Sequence, residues 1–217
     1  MLRASYLLHL FALAAVLVCA EPLRAQTIID EWQGVKAPPA PELKPVTLDP
    51  KTTALLVMDL VKQTCNNERR PRCVASIPKI EKLIAQARAH GVTVIYTTVP
   101  TVPIADTLPA VAPHADDPVV VATVDKFILG NKDTGLEKML KDKGITSVIT
   151  VGTAAHGAVL YTASAAALRG FNVIVPVDGM SGDGQNTFIE QYVAYNLTSA
   201  PIVSPKITLT RIDMIKF

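Results

Sequence analysis

Three stretches of this chain carry residues able to do chemistry. Asp59 closes the apolar run TALLVMDL (53–60), Lys126 lies within VVVATVDKFIL (119–129), and the turn GTAAHGA (152–158) leads from an apolar strand into a helix of small residues. A carboxylate at the end of a buried strand is costly unless it is paired or faces a cleft. In a cleft Asp59 is a general acid or base; otherwise it caps a loop or meets an arginine. Lys126 is a cation that could enter the same crevice, or a solvated edge residue beside Asp125. The helix starting near Gly157 offers unpaired backbone N–H groups and a partial positive charge, which suit an anion or a developing oxyanion. Close packing of strand and helix is the other use of such small residues. His156 reads as a substrate-bonding or proton-carrying group, or as a histidine satisfied by backbone. No cysteine or serine stands in the turn.

These residues need a frame that brings them together. TALLVMDL is a short apolar run, the mark of a strand buried on both faces. SIPKIEKLIAQARAHG (76–91) predicts a helix, with Ser76 as N-cap, Pro78 in the first turn, Ile80, Leu83, Ile84 and Ala87 at helical spacing, and Gly91 as the stop. Further strands are predicted over 92–99, 119–129, 145–152, 171–180 and 205–212. Further helices are predicted over 134–144, 157–170 and 186–200, the last opened by Asn186. Alternating strands and helices build a parallel sheet with helices on both faces and right-handed crossovers. Ligands of such α/β sheets bind beyond the carboxyl ends of the strands, where Asp59, the end of 119–129 and the 152–158 turn all fall. The proline-rich stretch 100–118 is long for a loop and suggests a functional or partner-facing excursion.

The chain has 217 residues and a formal net charge of +2, which leaves no electrostatic footprint for nucleic acid. Residues 1–25 read as a secretory signal: Arg3, an apolar run over 5–20, and a small-residue cleavage site after Ala25. A membrane anchor is the alternative, but the run is shorter than the roughly 20 residues a span needs. Cleavage predicts a periplasmic or secreted protein that no longer meets the membrane. Residues 26–50, with Pro38, Pro39, Pro41, Pro45 and Pro50, form an extended arm that lies along the domain or a partner subunit, or hangs as a loose tail. Residues 51–217 are the folded domain. A chain of this size buries about 70% of its unfolded surface.

Cys65 and Cys73 flank NNERRPR. In an exported protein such a close pair reads as a disulfide; two buried free thiols are the rival. Arg69, Arg70 and Arg72 between them read as a solvated loop, an acidic partner or substrate being the other use of such a cluster.

Taken together, LLVMDL, VDKFILGNKDTGLEKML and VITVGTAAHGAVLYTASAAALRGFNVIVPVDGM resemble the isochorismatase-like hydrolases. That family includes nicotinamidases, other cysteine amidohydrolases and isochorismatases proper. The resemblance spans about residues 51–183. It implies a three-layer α/β fold, a central six-stranded, mostly parallel sheet, and a homodimer or higher homo-oligomer. Asp59 falls on the family's catalytic aspartate and Lys126 on its catalytic lysine. Ala158 falls where the amidohydrolases carry a nucleophilic cysteine. Ala155-His156 is similar to the branch that lacks that cysteine. The resemblance also implies a cis peptide at Thr153–Ala154, with the N–H groups of Ala154 and Ala158 as the oxyanion pocket. Phe127, beside Lys126, is a pocket-wall candidate or a core residue.

The departures narrow the chemistry. Alanine has no lone pair, so acyl-enzyme chemistry at position 158 is excluded. Nicotinamidases carry histidines beside the aspartate, and DLVKQTC has none, so neither metal nor other cofactor is expected. TTVPTVPIADTLPAVAP lacks the basic and amide groups with which isochorismatases hold substrate carboxylates. The reading is thus a hydrolase of an unnamed small molecule, with Asp59 as acid or base and no covalent thiol. The alternative is a binding protein that kept the fold and lost the chemistry.

Overall fold

A computed structural model describes residues 27–217 apart from Asn186; the expected signal segment with Cys19 and the expected helix start at Asn186 lie outside the described residues. Of the described residues, 27–37 fall in a unit of their own. Within it, Ile28–Glu31 is a short helix and Trp32–Gly34 a 3-10 turn.

From Pro38 onward the chain builds β1 (Thr53–Met58), α1 (Pro71–Ala89), β2 (Thr93–Thr98), β3 (Val119–Val121), α2 (Leu136–Asp142), β4 (Ser147–Thr153), α3 (Leu160–Leu168), β5 (Asn172–Pro176), β6 (Met180–Ser181), α4 (Phe188–Ser199) and β7 (Ile207–Thr210). The main sheet runs β7-β5-β4-β1-β2-β3 with every neighbour parallel, and the two-residue β6 pairs with the end of β4. Seven strands therefore stand where six were expected. The extra one arises because a 3-10 turn at Val177–Gly179 divides the apolar run 171–180.

All six residues of β1 are buried, as a strand covered on both faces requires. Its alternation sorts them into two cores. Ala54, Leu56 and Met58 pack with Leu140, Ala163, Ala166 and Val193 of α2, α3 and α4. Leu55 and Val57 pack with Ile80, Leu83, Ile84 and Ala87 of α1. The period of two thus creates the three layers.

Two further predicted elements differ from those observed. The first helix starts at Pro71, not Ser76, because proline at the first helical position needs no N–H partner. Pro78 consequently lies inside the helix, and Ser76 Oγ donates to Cys73 O at 2.7 Å instead of capping. The strand expected over 119–129 ends at Val121. Asp125 Oδ1 accepts from Phe127 N at 2.9 Å and turns the chain, and Ile128–Leu129 pairs antiparallel with Lys132–Asp133.

Residues 38–50 lie along the domain. Lys44 N donates to Leu209 O at 2.9 Å, Gln191 Nε2 donates to Pro38 O at 2.8 Å, and Val46–Thr47 pairs with Ile215–Lys216. Among the described residues no helix is long and apolar enough to cross a membrane.

Gly152 has φ +133°, and a Cβ there would lie 2.0 Å from Met58 O. The ends of β1 and β4 approach each other only because position 152 has no side chain. Gly152→Ala should cost about 3 kcal/mol or more through backbone strain and overpacking, read as a lower urea midpoint with unchanged m. Unchanged stability would show that the two strand ends do not need this approach.

Candidate active site

The strand order places a topological switch point between β1 and β4. From β1 the chain moves outward to β2 and β3, then returns to the other side of β1 for β4. At the carboxyl ends of these strands lie Asp59 and the turn after Thr153, the place where α/β sheets bind ligands.

Asp59 is 4% exposed and has φ +53°, a left-handed conformation that aspartate tolerates better than most residues. Its Oδ1 accepts from Thr97 Oγ1 at 2.7 Å and its Oδ2 from Lys126 Nζ at 2.7 Å. Thr64 Oγ1 donates to the Asp59 carbonyl. Lys126 is fully buried, and its ammonium also donates to Thr123 O at 2.6 Å and Ala122 O at 3.1 Å. The turn that ends β3 early is what brings these two carbonyls to the lysine. Thr162 of α3 ties the same turn down, accepting from Lys126 N and donating to Val124 O, both at 3.2 Å.

Burial pushes the Asp59 carboxyl above its ordinary value, against the opposing pull of Lys126, Thr97 and Arg70. Burial likewise pulls Lys126 below its ordinary value, against Asp59 and Asp125. Loss of water penalises both charged forms. Hydrogen bonding acts the other way, because an ammonium has three N–H donors and three oxygens receive them here.

The peptide bond Thr153–Ala154 is cis. Beyond it, Ala155–Val159 forms one turn of π-helix before α3. The Ala154 carbonyl accepts from Gly157 N at 3.0 Å and Val159 N at 3.2 Å. His156 is half-buried, and its Nδ1 is buried without a partner among the described residues. Ser181 Oγ, on the strand that pairs with Thr153, is another such atom. Buried polar atoms without partners are rare, and two of them lie around this turn.

Residues 53–199 match the isochorismatase domain. The chain belongs to the isochorismatase family. It shares its α/β fold with an isochorismatase family protein of Burkholderia thailandensis (22% identity, TM-score 0.64, covering 79% of this chain and 97% of that one). It is also similar to a cysteine hydrolase of Pseudomonas syringae pv. phaseolicola (20%, TM-score 0.66, 80% and 95%). N-carbamoylsarcosine amidase of Thermoplasma acidophilum matches at 23% identity and TM-score 0.59, over 75% and 97% of the two chains. No sequence among the curated proteins matches. Membership in the isochorismatase family makes the protein one of a family of hydrolases.

On this isochorismatase frame Asp59 and Lys126 are in direct contact, and Lys126 is not the solvated edge residue that its neighbour Asp125 suggested. Ala158 is buried in the same core as Met58 and Ala122. Three of the proposed substrate contacts change role. The ring of Phe127 is buried against Phe171, with the Arg169 guanidinium 4.5 Å from its centroid, so it is a core residue. Ala155 is fully buried in the core. The amide of Gly157 is engaged by Ala154 within the turn, which removes it as a donor to substrate.

Cys65 and Cys73 form a disulfide with an S–S distance of 2.01 Å. Among the described residues there is therefore no free thiol. Of the arginines between the two cysteines, Arg69 is exposed, as expected of a solvated loop, but Arg70 and Arg72 are not. Arg70 is 4% exposed, and its Nε lies 2.5 Å from Asp183. Arg72 pairs with both carboxylate oxygens of Glu190, at 2.7 and 3.0 Å. These carboxylates follow β6, more than a hundred positions away, so sequence spacing offered no sign of the pairing. Thr97 left a fainter signal, as a polar residue near the end of the apolar run VTVIYTTV. Its register partner is Met58, which places its hydroxyl next to Asp59.

Proposed function

We propose that this protein hydrolyses an ester, a lactone or a similar small-molecule bond by general base catalysis from Asp59, without a covalent enzyme intermediate. The observation that carries this reading is the buried Asp59–Lys126 pair at 2.7 Å in a site whose turn holds Ala158 and no cysteine or serine. Both carboxylate oxygens accept hydrogen bonds, an arrangement suited to the ionised form. Burial makes that carboxylate more basic than an ordinary one, and a stronger base takes a proton more readily.

In the proposed reaction, water forms a bond to the acyl carbon and Asp59 takes the proton it sheds. The acyl oxygen becomes an oxyanion, received by the N–H groups of Ala154 and Ala158. When the carbon–oxygen bond to the leaving group breaks, the proton on Asp59 passes to that group. Lys126 balances the charge and holds the carboxylate in place. His156, with its unpartnered Nδ1, hydrogen-bonds the substrate. The cysteine-less branch of the family fits this scheme, and the disulfide supports export to an oxidising compartment.

The test is turnover of a panel of esters, lactones and enol ethers, with amides for comparison, before and after iodoacetamide. Hydrolysis should survive alkylation, and mass spectrometry of enzyme quenched during turnover should show no acyl adduct. Inactivation, or a covalent adduct on any residue, would overturn the non-covalent reading. A compound that binds tightly and emerges unchanged, with nothing in the panel hydrolysed, would favour the binding protein.

A further inference from the structure

We propose that Arg70 is the seat for a carboxylate on the substrate, and that Asp183 occupies this seat until the substrate arrives. The inference rests on the hydrolase reading of the Asp59 site and names its substrate class.

Arg70 ends the loop that begins at Asp59. Thr64 links the two residues: its hydroxyl donates to the Asp59 carbonyl, and its own carbonyl accepts from Arg70 Nη1 at 2.8 Å. Arg70 also helps to hold down the Asp59 carboxyl's rise, so the guanidinium acts on the catalytic carboxylate. Asp183 sits in SGDGQ (181–185), just after β6, which pairs with Thr153 at the cis peptide. The Arg70–Asp183 contact therefore joins the two walls of the switch point.

The contact is close but badly made. Arg70 Nε and Asp183 Oδ1 are 2.5 Å apart, yet each is a buried atom with no properly aligned hydrogen bond. A guanidinium has five N–H donors; here Nη1 donates to Thr64 O, and Nε is buried without an aligned partner. Leaving donors unmet in a buried place is costly. A substrate carboxylate able to take the two-pronged geometry of the guanidinium recovers that cost. Asp183 is 44% exposed on its side chain, so it can return to water. The exchange replaces one carboxylate by another and leaves the charge balance with Asp59 and Lys126 unchanged.

The probes are matched pairs of acid and amide: benzoate with benzamide, and phenylacetate with phenylacetamide. Binding is followed by ligand-observed NMR and by the Arg70 Nε–Hε resonance of nitrogen-15-labelled protein. The acids should bind and shift that resonance, and the amides should not. Arg70→Gln should weaken the acids by roughly tenfold or more. Asp183→Asn should tighten them severalfold, an outcome that a merely structural ion pair does not give. Equal binding of acids and amides, or no change of acid affinity in Asp183→Asn, would overturn the proposal. If Arg70→Gln does not fold, the Asp183→Asn variant, at a part-exposed position, decides alone. Acid binding without turnover of any compound would remove the hydrolase reading and leave the seat. Turnover of neutral esters with no preference for acids would do the reverse.

Discussion

Asp59→Asn should lower turnover by about 10²–10⁴-fold, the usual contribution of a positioned acid or base, while the fold stays intact. Asparagine is suited to this test. It accepts the φ of +53° at position 59 as readily as aspartate does. Turned with its oxygen toward Lys126, it accepts from the ammonium and donates its amide N–H to Thr97 Oγ1, so the two side-chain contacts of Asp59 persist. The negative charge and the transferable proton are what disappear. The pH dependence gives an independent check. If Asp59 is the base, wild-type turnover falls as acid protonates it, with a midpoint above the ordinary aspartate value of 3.8 because burial raises it. Loss of turnover as pH rises would instead assign Asp59 as the acid. Full activity in Asp59→Asn would remove this residue from the mechanism altogether.

The reach of the sequence is visible in particular residues. Apolar runs such as TALLVMDL reveal buried parallel strands because burial on both faces demands continuous hydrophobicity. The order of strands and helices then puts Asp59 and the 152–158 turn at the same edge of the sheet. What escaped was set by contacts between distant segments. Pro71 as the helix start, the turn at Asp125 that aims two carbonyls at Lys126, and the burial of Arg70 all depend on partners remote in sequence. The arginines show the reason most plainly: NERRPR looks solvated by composition, and only the loop after β6 and the first turn of α4 supply Asp183 and Glu190. The tension over the Asp59 carboxyl was likewise open in sequence, since Lys126 lowers it and burial raises it. The depth of the pair decides in favour of burial.

Lys126→Met should produce the largest loss of stability, because it leaves a carboxylate buried without its main counter-charge. Breaking a buried ion pair in this way costs about 3–5 kcal/mol. Asp59 would keep the Thr97 hydroxyl and the more distant Arg70. In Asp59→Asn the stranded ammonium would keep the carbonyls of Ala122 and Thr123, so that variant should lose less. The two losses should also respond to pH in opposite directions. Without Lys126, the folded-state pKa of Asp59 moves further above its unfolded value. The folded protein then favours the protonated acid, the penalty is absent below about 3.8, and it grows as pH rises through the folded pKa. Urea denaturation of Lys126→Met at low and neutral pH should show the deficit shrinking in acid. Lys126 in Asp59→Asn has its folded pKa depressed further, so its penalty should shrink as pH rises toward the ordinary lysine value. The double variant, Asp59→Asn with Lys126→Met, buries neither charge and should be more stable at neutral pH than Lys126→Met alone. A deficit in Lys126→Met that does not change with pH would mean that lost packing, and not an unpaired Asp59, sets the cost, and the electrostatic coupling on which the proposed mechanism relies would go with it.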